Sequence, residues 1–153
     1  MMLLSVECWA TLNNLKEPLA MTTTTPYSLI GGEQAILNLV DRFYFYMDTL
    51  PEAQGIRTMH QANLASANAK LFKFLSGWLG GPNLFIEEFG HPMLRARHLP
   101  FAIGESERDQ WMLCMNKALE EMTLDSQLKT TLHNALQQLA THMINQESVM
   151  VSR

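Results

Sequence analysis

Apolar side chains recur every three or four residues through most of this chain, and this spacing constrains the fold more than any other feature. One stripe follows Gly31–Gly32 and consists of Ile36, Leu39, Val40, Phe43, Tyr44 and Met47. Such a stripe gives an α-helix one apolar face. No segment alternates between apolar and polar residues over a useful length, as a half-buried strand would. The sequence therefore predicts an all-α fold.

Three further stripes predict three more long helices. They comprise Leu64, Ala67, Leu71, Phe74, Leu75 and Trp78; then Trp111, Cys114, Met115, Ala118, Leu119 and Met122; then Leu128, Leu132, Ala135, Leu136, Leu139 and Met143. The run Gly80–Gly81–Pro82 ends the first of these three, because glycine and proline disfavour a continuing helix. Gly104 or Ser106 can cap the second. We expect four longer helices joined by short helical turns.

The length of 153 residues is that of one domain with a sizeable core. We expect an N-terminal extension and linker over residues 1–25, the domain over residues 26–147 and a C-terminal tail over residues 148–153. The linker is predicted by the threonine run before Pro26, since β-branched residues before a proline resist helix formation. The first twenty residues are either a helix docked on the domain or a stretch that precedes a natural start at Met21.

Composition and charge exclude several classes of protein. The formal net charge is -4, and no basic stripe interleaved with aromatic residues is present, so a nucleic-acid partner is not expected. Cys8 and Cys114 form no metal or redox motif, and this fits a reducing cytoplasm. No run approaches the roughly 20 apolar residues of a membrane span. The N-terminus also lacks the pattern of a secretory signal, so we expect a cytoplasmic protein.

A short basic segment presents one histidine in a distinctive setting. His98 lies in a short helical turn within the run 91–101 and is followed closely by Pro100, while Trp111 lies in the next helical stripe. A neutral imidazole directed into an apolar cleft is the ligand that ferrous haem requires. Taken alone, a histidine near a helix end more often has a structural or solvated role.

The ordered motifs from about Tyr27 to Gln146 resemble the group II truncated haemoglobins. The matching segments are Gly31–Gly32, Arg42–Phe43–Tyr44, Lys70–Leu71–Phe72, the run Phe74–Pro82, Gly90–His91–Pro92, Arg97–His98 with Pro100–Phe101, and Glu107–Arg108–Asp109 with Trp111. This resemblance implies a two-over-two helical sandwich around haem b. Composition and periodicity alone indicate only a compact all-α domain.

The resemblance implies a proximal and a distal side of the haem. His98 corresponds to the proximal iron ligand, and we expect its ring to bond the Leu94 carbonyl one turn earlier. Tyr44 corresponds to the distal tyrosine. Trp111 corresponds to the tryptophan that marks groups II and III, and its indole N–H can only donate. Both side chains could instead be core fillers without a ligand.

Three further residues are expected on the distal side by the same resemblance. His60 aligns with a variable distal position, where it either bonds Tyr44 or the ligand, binds the iron, or remains a solvated loop histidine. Ala67 falls where many globins place a distal histidine, and its methyl group cannot form a hydrogen bond. Leu71 is expected to face both the ligand and the haem.

The remaining expected contacts retain and orient the haem. Lys70 and Arg97 are placed to pair with the propionates, although such exposed pairs are worth only about 0–1 kcal/mol each. Retention should come from the iron–His98 bond and from apolar contact with Leu71, Phe74, Leu75, Phe101 and Trp111.

The function implied by the resemblance is binding of dioxygen, NO or CO with slow release. Slow release suits oxidation of nitric oxide or peroxide chemistry better than bulk oxygen transport. An outside reductase would be needed, since the chain lacks a Gly-rich dinucleotide motif. We expect a monomer or homodimer. The alternatives are a sensor in which Tyr44 or His60 is the resting sixth ligand, and a helical module without haem.

Overall fold

The computed structural model describes residues 24–146 of the chain. The predicted N-terminal helix and most of the linker lie outside these residues, as do Cys8 and the predicted C-terminal tail. Within residues 24–146 the chain forms eight α-helices and one 3-10 turn, and it contains no strand. Over the same residues, no helix combines the length and the apolar character needed to cross a membrane.

The helices follow one another with short connections. They are α1 (Pro26–Ile30), α2 (Gly32–Thr49), α3 (Gln54–Arg57), α4 (Ala65–Trp78), α5 (Leu84–Phe89), α6 (Leu94–His98), α7 (Glu105–Glu120) and α8 (Ser126–His142). The 3-10 turn Pro51–Ala53 precedes α3. The four predicted long helices are α2, α4, α7 and α8, so the predicted all-α fold is confirmed.

Helix ends follow local signals in the sequence. The Thr25 hydroxyl accepts the Ser28 amide at 3.1 Å and caps α1, which Pro26 opens. Gly31 then ends α1 with φ of 119°, a backbone conformation that favours glycine. The carboxylate of Asp125 caps α8 by accepting the amides of Gln127 and Leu128.

The core lies where α2 packs against α4 and α7, and where α7 packs against α8. All six residues of the first predicted stripe are buried along α2. The two helix pairs, α2 with α4 and α7 with α8, give the two-over-two arrangement. Cys114 is fully buried in α7, and burial raises the pKa of its thiol to about 11, so it packs as a small hydrophobic residue.

Close packing also explains the second glycine pair. A Cβ at Gly81 would lie 2.3 Å from the ring of Tyr27, so only glycine fits there without a shift of the tyrosine. The Tyr27 amide donates to the Leu79 carbonyl at 2.8 Å, which ties α1 to the end of α4. The Gly80–Gly81 pair therefore follows the end of α4 and leaves room for the Tyr27 ring of α1 to pack against it.

Candidate functional site

A cavity of about 540 Å³ is lined by residues from α2 to α8. This volume is within the range of about 300–1,000 Å³ that is usual for ligand sites. The lining includes all but one of the residues predicted for the site: Tyr44, His60, Ala67, Lys70, Leu71, Phe74, Arg97, His98, Phe101 and Trp111. The fold thus brings these separated residues to one place.

Leu75, the remaining residue predicted to contact the cofactor, does not line this cavity. It is 1% exposed and lines a small apolar void with Trp78 and Leu119. Successive residues of a helix point about 100° apart, so Phe74 faces the cavity while Leu75 faces the core. Phe74 and Leu75 belong to the same predicted apolar stripe, so the sequence pattern could not show that they face different parts of the molecule.

His98 lies at the end of α6 with its ring fixed toward the cavity. Its Nδ1 is 2.6 Å from the Leu94 carbonyl oxygen, so the hydrogen bond expected from the sequence is present. A carbonyl can only accept, and Nδ1 therefore carries the proton. The lone pair of the neutral ring is consequently on Nε2, which is the atom available to a metal.

His60, in the turn after α3, is held in the same way. Its Nδ1 is 2.9 Å from the Ile56 carbonyl oxygen, four residues earlier. The neutral ring therefore also carries its lone pair on Nε2. Of the roles that the sequence left open for His60, the neutral ring can thus accept a hydrogen bond or bind the iron, but it cannot donate to the ligand.

Tyr44 lies deep in α2 and its hydroxyl already has a partner. The phenol donates to the Ala67 carbonyl oxygen at 3.2 Å, and burial raises the pKa of Tyr44 well above its ordinary value. The phenol therefore stays protonated near neutral pH. Its single proton is donated to a backbone carbonyl of α4. The sequence could not indicate this partner, because every residue type carries the same carbonyl group.

Trp111 lies half-buried in α7 and lines the same cavity. Its ring packs against Phe43 with centroids 5.1 Å apart, and Phe43 in turn contacts the Tyr44 ring at 4.8 Å. The indole N–H forms no hydrogen bond within residues 24–146. It is therefore a donor with unused capacity at the cavity.

Cationic side chains also line the cavity. Arg97 Nε donates to the Pro92 carbonyl at 2.5 Å, and Nη2 lies 3.4 Å from the carbonyl oxygens of Phe89 and His91. Lys70 Nζ lies 5.6 Å from the centre of the Phe89 ring. A guanidinium has five N–H groups, so Arg97 keeps capacity for an anion.

Several lining residues were not predicted. They are Ile56, Met59, Phe85, Leu94, Ile103, Glu107, Arg108, Leu139, Ala140 and Met143. Leu139 and Met143 lie on the predicted stripe of α8, so that stripe contained a usable signal. Arg108 resembles a surface residue in the sequence, yet its side chain is only 17% exposed and bonds Asp109 and Thr141. Nothing in its spacing predicted this position.

The residues at the cavity fit a haem group. Haem is a flat, largely apolar macrocycle with anionic propionates, and its iron needs an axial protein ligand. The cavity supplies apolar walls such as Leu71 and Phe74, the free Nε2 position of His98, and two cations, Lys70 and Arg97. The donor set and the lining are thus the kind that holds haem.

Comparison with known proteins agrees with this class of site. The family model described as bacterial-like globin matches residues 25–145. Group 2 truncated hemoglobin YjbI of Bacillus subtilis is 40% identical over 121 residues, which cover 79% of this chain and 89% of the relative.

Solved structures give the same result. The cold-adapted truncated haemoglobin of Pseudoalteromonas haloplanktis has a TM-score of 0.79 and 48% identity, covering 81% of this chain and all of that one. The group II 2-on-2 haemoglobin of Agrobacterium tumefaciens has a TM-score of 0.79 and 45% identity, covering 82% and 97%. A truncated haemoglobin from Bacillus subtilis has a TM-score of 0.72 and 39% identity, covering 80% and 100%.

The fold and the cavity together define a two-over-two helical protein built to enclose a prosthetic group. The chain belongs to the bacterial-like globin family, in its group II truncated haemoglobin branch. Membership implies haem-based binding of diatomic gases.

Proposed function

We propose that this protein binds haem b through His98 and uses it to bind dioxygen reversibly with slow release. One observation carries the proposal: the His98 ring is tied through Nδ1 to the Leu94 carbonyl, so its Nε2 lone pair is available in an apolar cavity. When bound, haem supplies an iron that takes dioxygen, NO or CO. The protein supplies the axial imidazole, the apolar enclosure and the distal donors.

Slow release follows from the donors that the distal side offers. A bound dioxygen carries partial negative charge, and a hydrogen bond to it retards dissociation. Trp111 has a free indole N–H at the cavity, whereas the Tyr44 proton is already directed at the Ala67 carbonyl. We therefore assign Trp111 as the first donor and Tyr44 as a second that must turn from Ala67. The solved Bacillus subtilis relative is an oxygen-avid protein, which supports the same direction.

Tight binding favours chemistry or sensing over bulk transport. Oxidation of NO or a peroxide reaction would proceed at the same cavity, with an external reductase restoring the ferrous state. We propose that the protein works in the cytoplasm as a monomer or homodimer. Neither activity requires residues beyond those that bind the ligand and exclude water.

The experiment that tests this function is a set of absorption spectra of the purified protein in its ferric, ferrous and oxygenated forms. The proposal predicts a haem spectrum and an oxygenated form that decays slowly. Purified protein that shows no haem band after haem is added would contradict it and would favour a helical module without haem.

A second candidate function is a sensor in which a side chain occupies the iron until a ligand displaces it. His60 is favoured for this role because its Nδ1 is tied to the Ile56 carbonyl, as that of His98 is to the Leu94 carbonyl, so that its Nε2 lone pair is available. Tyr44 is less favoured, since its hydroxyl already donates to the Ala67 carbonyl.

A ferric spectrum tests the sensor. A low-spin spectrum that is lost in His60→Ala and kept in Tyr44→Phe supports the sixth ligand at His60. A high-spin, water-bound spectrum of the unmodified protein rules the sensor out.

A further inference from the structure

The segment that follows α8 is hydrogen-bonded to the segment that carries His98. The amides of Asn145 and Gln146 both donate to the Ile103 carbonyl, at 2.8 and 3.0 Å. Arg95, on α6, reaches the same segment, and its Nη1 donates to the carbonyls of His142 at 2.9 Å and Ile144 at 2.6 Å. The segment after α8 therefore donates hydrogen bonds to the loop after α6 and accepts hydrogen bonds from α6 itself.

The Asn145 side chain is the centre of this junction. Its Nδ2 donates to the His98 carbonyl at 3.2 Å and to the Phe101 carbonyl at 2.9 Å. Its Oδ1 accepts the Ile103 amide at 3.0 Å and the Gln146 side-chain amide at 3.1 Å. Both donors and both acceptor positions of the amide are thus in use, and only an amide offers this combination at that length.

Helix α6 cannot hold its own position. It has five residues, none of them buried, and Leu94 is the one hydrophobic side chain of this helix that packs against the core. Isolated helices of this length are unstable in water, because the first turn fixes several residues for one hydrogen bond. The position of α6, and with it the direction of the His98 ring, therefore also depends on hydrogen bonds to other parts of the chain.

We propose that Asn145 is a positioning residue that sets the orientation of the His98 imidazole toward the haem iron. The inference rests on the proposed function, since it assumes that His98 binds iron. Asn145 does not line the cavity; it fixes the carbonyl at the end of α6 and the turn after it. The Leu94 carbonyl sets the tautomer of the ring, and Asn145 holds the backbone from which the ring extends.

The test is the iron–histidine stretching band in the resonance Raman spectrum of the ferrous haem-loaded protein. In Asn145→Asp, a carboxylate of the same size faces two carbonyl oxygens and donates to neither. We expect this band to shift and broaden. We also expect haem transfer to an acceptor protein to become about tenfold faster, which corresponds to one or two lost hydrogen bonds.

A milder variant and a distant control separate positioning from general stability. Asn145→Ser keeps one donor and should move the band less, in the same direction, even if Asn145→Asp does not fold. Glu121→Ala is the matched control, because Glu121 accepts hydrogen bonds from Arg42 and Tyr46 away from the cavity. It should leave the band unchanged.

The outcomes distinguish the two proposals. If both Asn145 variants keep the wild-type iron–histidine band, and if their haem transfer stays within twofold of the wild-type rate, the positioning role is overturned and the proposed function is left intact. A wild-type protein with no iron–histidine band overturns the proposed function, and the positioning role falls with it.

Discussion

The predicted distal and proximal sides of the cavity are built in different ways. The distal wall, defined as Phe43, Tyr44, Ala67 and Trp111, is carried by three long helices, of which α2 packs against both α4 and α7. Phe43 at its centre is fully buried. The proximal segment, residues 94–103, contains no buried residue, and hydrogen bonds to residues 142–146 hold it.

The distal wall and the proximal segment are therefore expected to have different local stabilities. The hydrogen-bond donors of the distal wall keep their place as long as the core is folded. The predicted iron ligand keeps its place only while a few partly exposed bonds persist, so the proximal segment can open without global unfolding.

The largest effect is expected for His98→Ala, which removes the single axial bond. Haem content of the purified protein should fall to a small fraction of the wild-type value, since apolar contact alone remains. Haem per chain is measured by absorbance after expression at limiting haem supply. His133→Ala is the control, because His133 bonds Asn116 and does not line the cavity. Normal haem content in His98→Ala would refute the proximal assignment.

Two phenylalanines test the contrast in stability. Phe43→Ala should lower the free energy of unfolding by about 3–5 kcal/mol, because a fully buried ring is lost from the core. Phe101→Ala removes a ring that is 42% exposed, and the loss should be under about 1 kcal/mol. Urea denaturation followed by circular dichroism measures both. Equal losses would mean that the proximal segment is as much a part of the core as the distal wall.

Two distal variants compare the donors of the distal wall. Trp111→Phe keeps an aromatic ring and removes the free indole N–H, so dioxygen should dissociate up to about tenfold faster. Tyr44→Phe should have a smaller effect, because the Tyr44 proton is shared with Ala67. Stopped-flow measurement of dioxygen release gives both rates. An unchanged dissociation rate in Trp111→Phe would mean that Trp111 contributes only packing and does not donate a hydrogen bond to the ligand.

The smallest expected effect is a pH dependence of stability. Burial raises the pKa of Tyr44 above the ordinary value of 10.0, so the folded protein keeps a proton that the unfolded chain loses above that pH. Stability from this group is therefore full below pH 10 and declines above it, by about 1 kcal/mol or less at pH 10.5.

Tyr44→Phe should remove this decline, while Tyr46→Phe, which removes a hydroxyl at the surface, should retain it. Denaturation midpoints between pH 9 and 10.5 make the comparison. A decline that persists unchanged in Tyr44→Phe would place its source in another group.

The fold could be predicted from the sequence because burial leaves a periodic trace. The stripe of α2 is buried at all six predicted positions, and Gly31 ends α1 where the glycine pair indicated a break. The residues around the cavity could be named because their order along the chain resembles a known family. Spacing alone would not have joined Tyr44 to His98.

The rest could not be predicted because it depends on backbone atoms and on angles around a helix. The partner of Tyr44 is the Ala67 carbonyl, and every residue type carries a carbonyl. Leu75 and Phe74 share one stripe, yet only Phe74 reaches the cavity. Asn145 stands beyond the last predicted stripe, where polar residues are usual, and its four hydrogen bonds become visible only once the chain end is placed.

The most direct test of the central claim, that His98 is the axial ligand of a haem iron, is a crystal structure of the haem-loaded protein. The account predicts the iron bonded to His98 Nε2, with Nδ1 still donating to the Leu94 carbonyl and the macrocycle between Leu71, Phe74 and Phe101. A structure in which the His98 ring faces solvent, or in which the iron is held only by another residue, would contradict it.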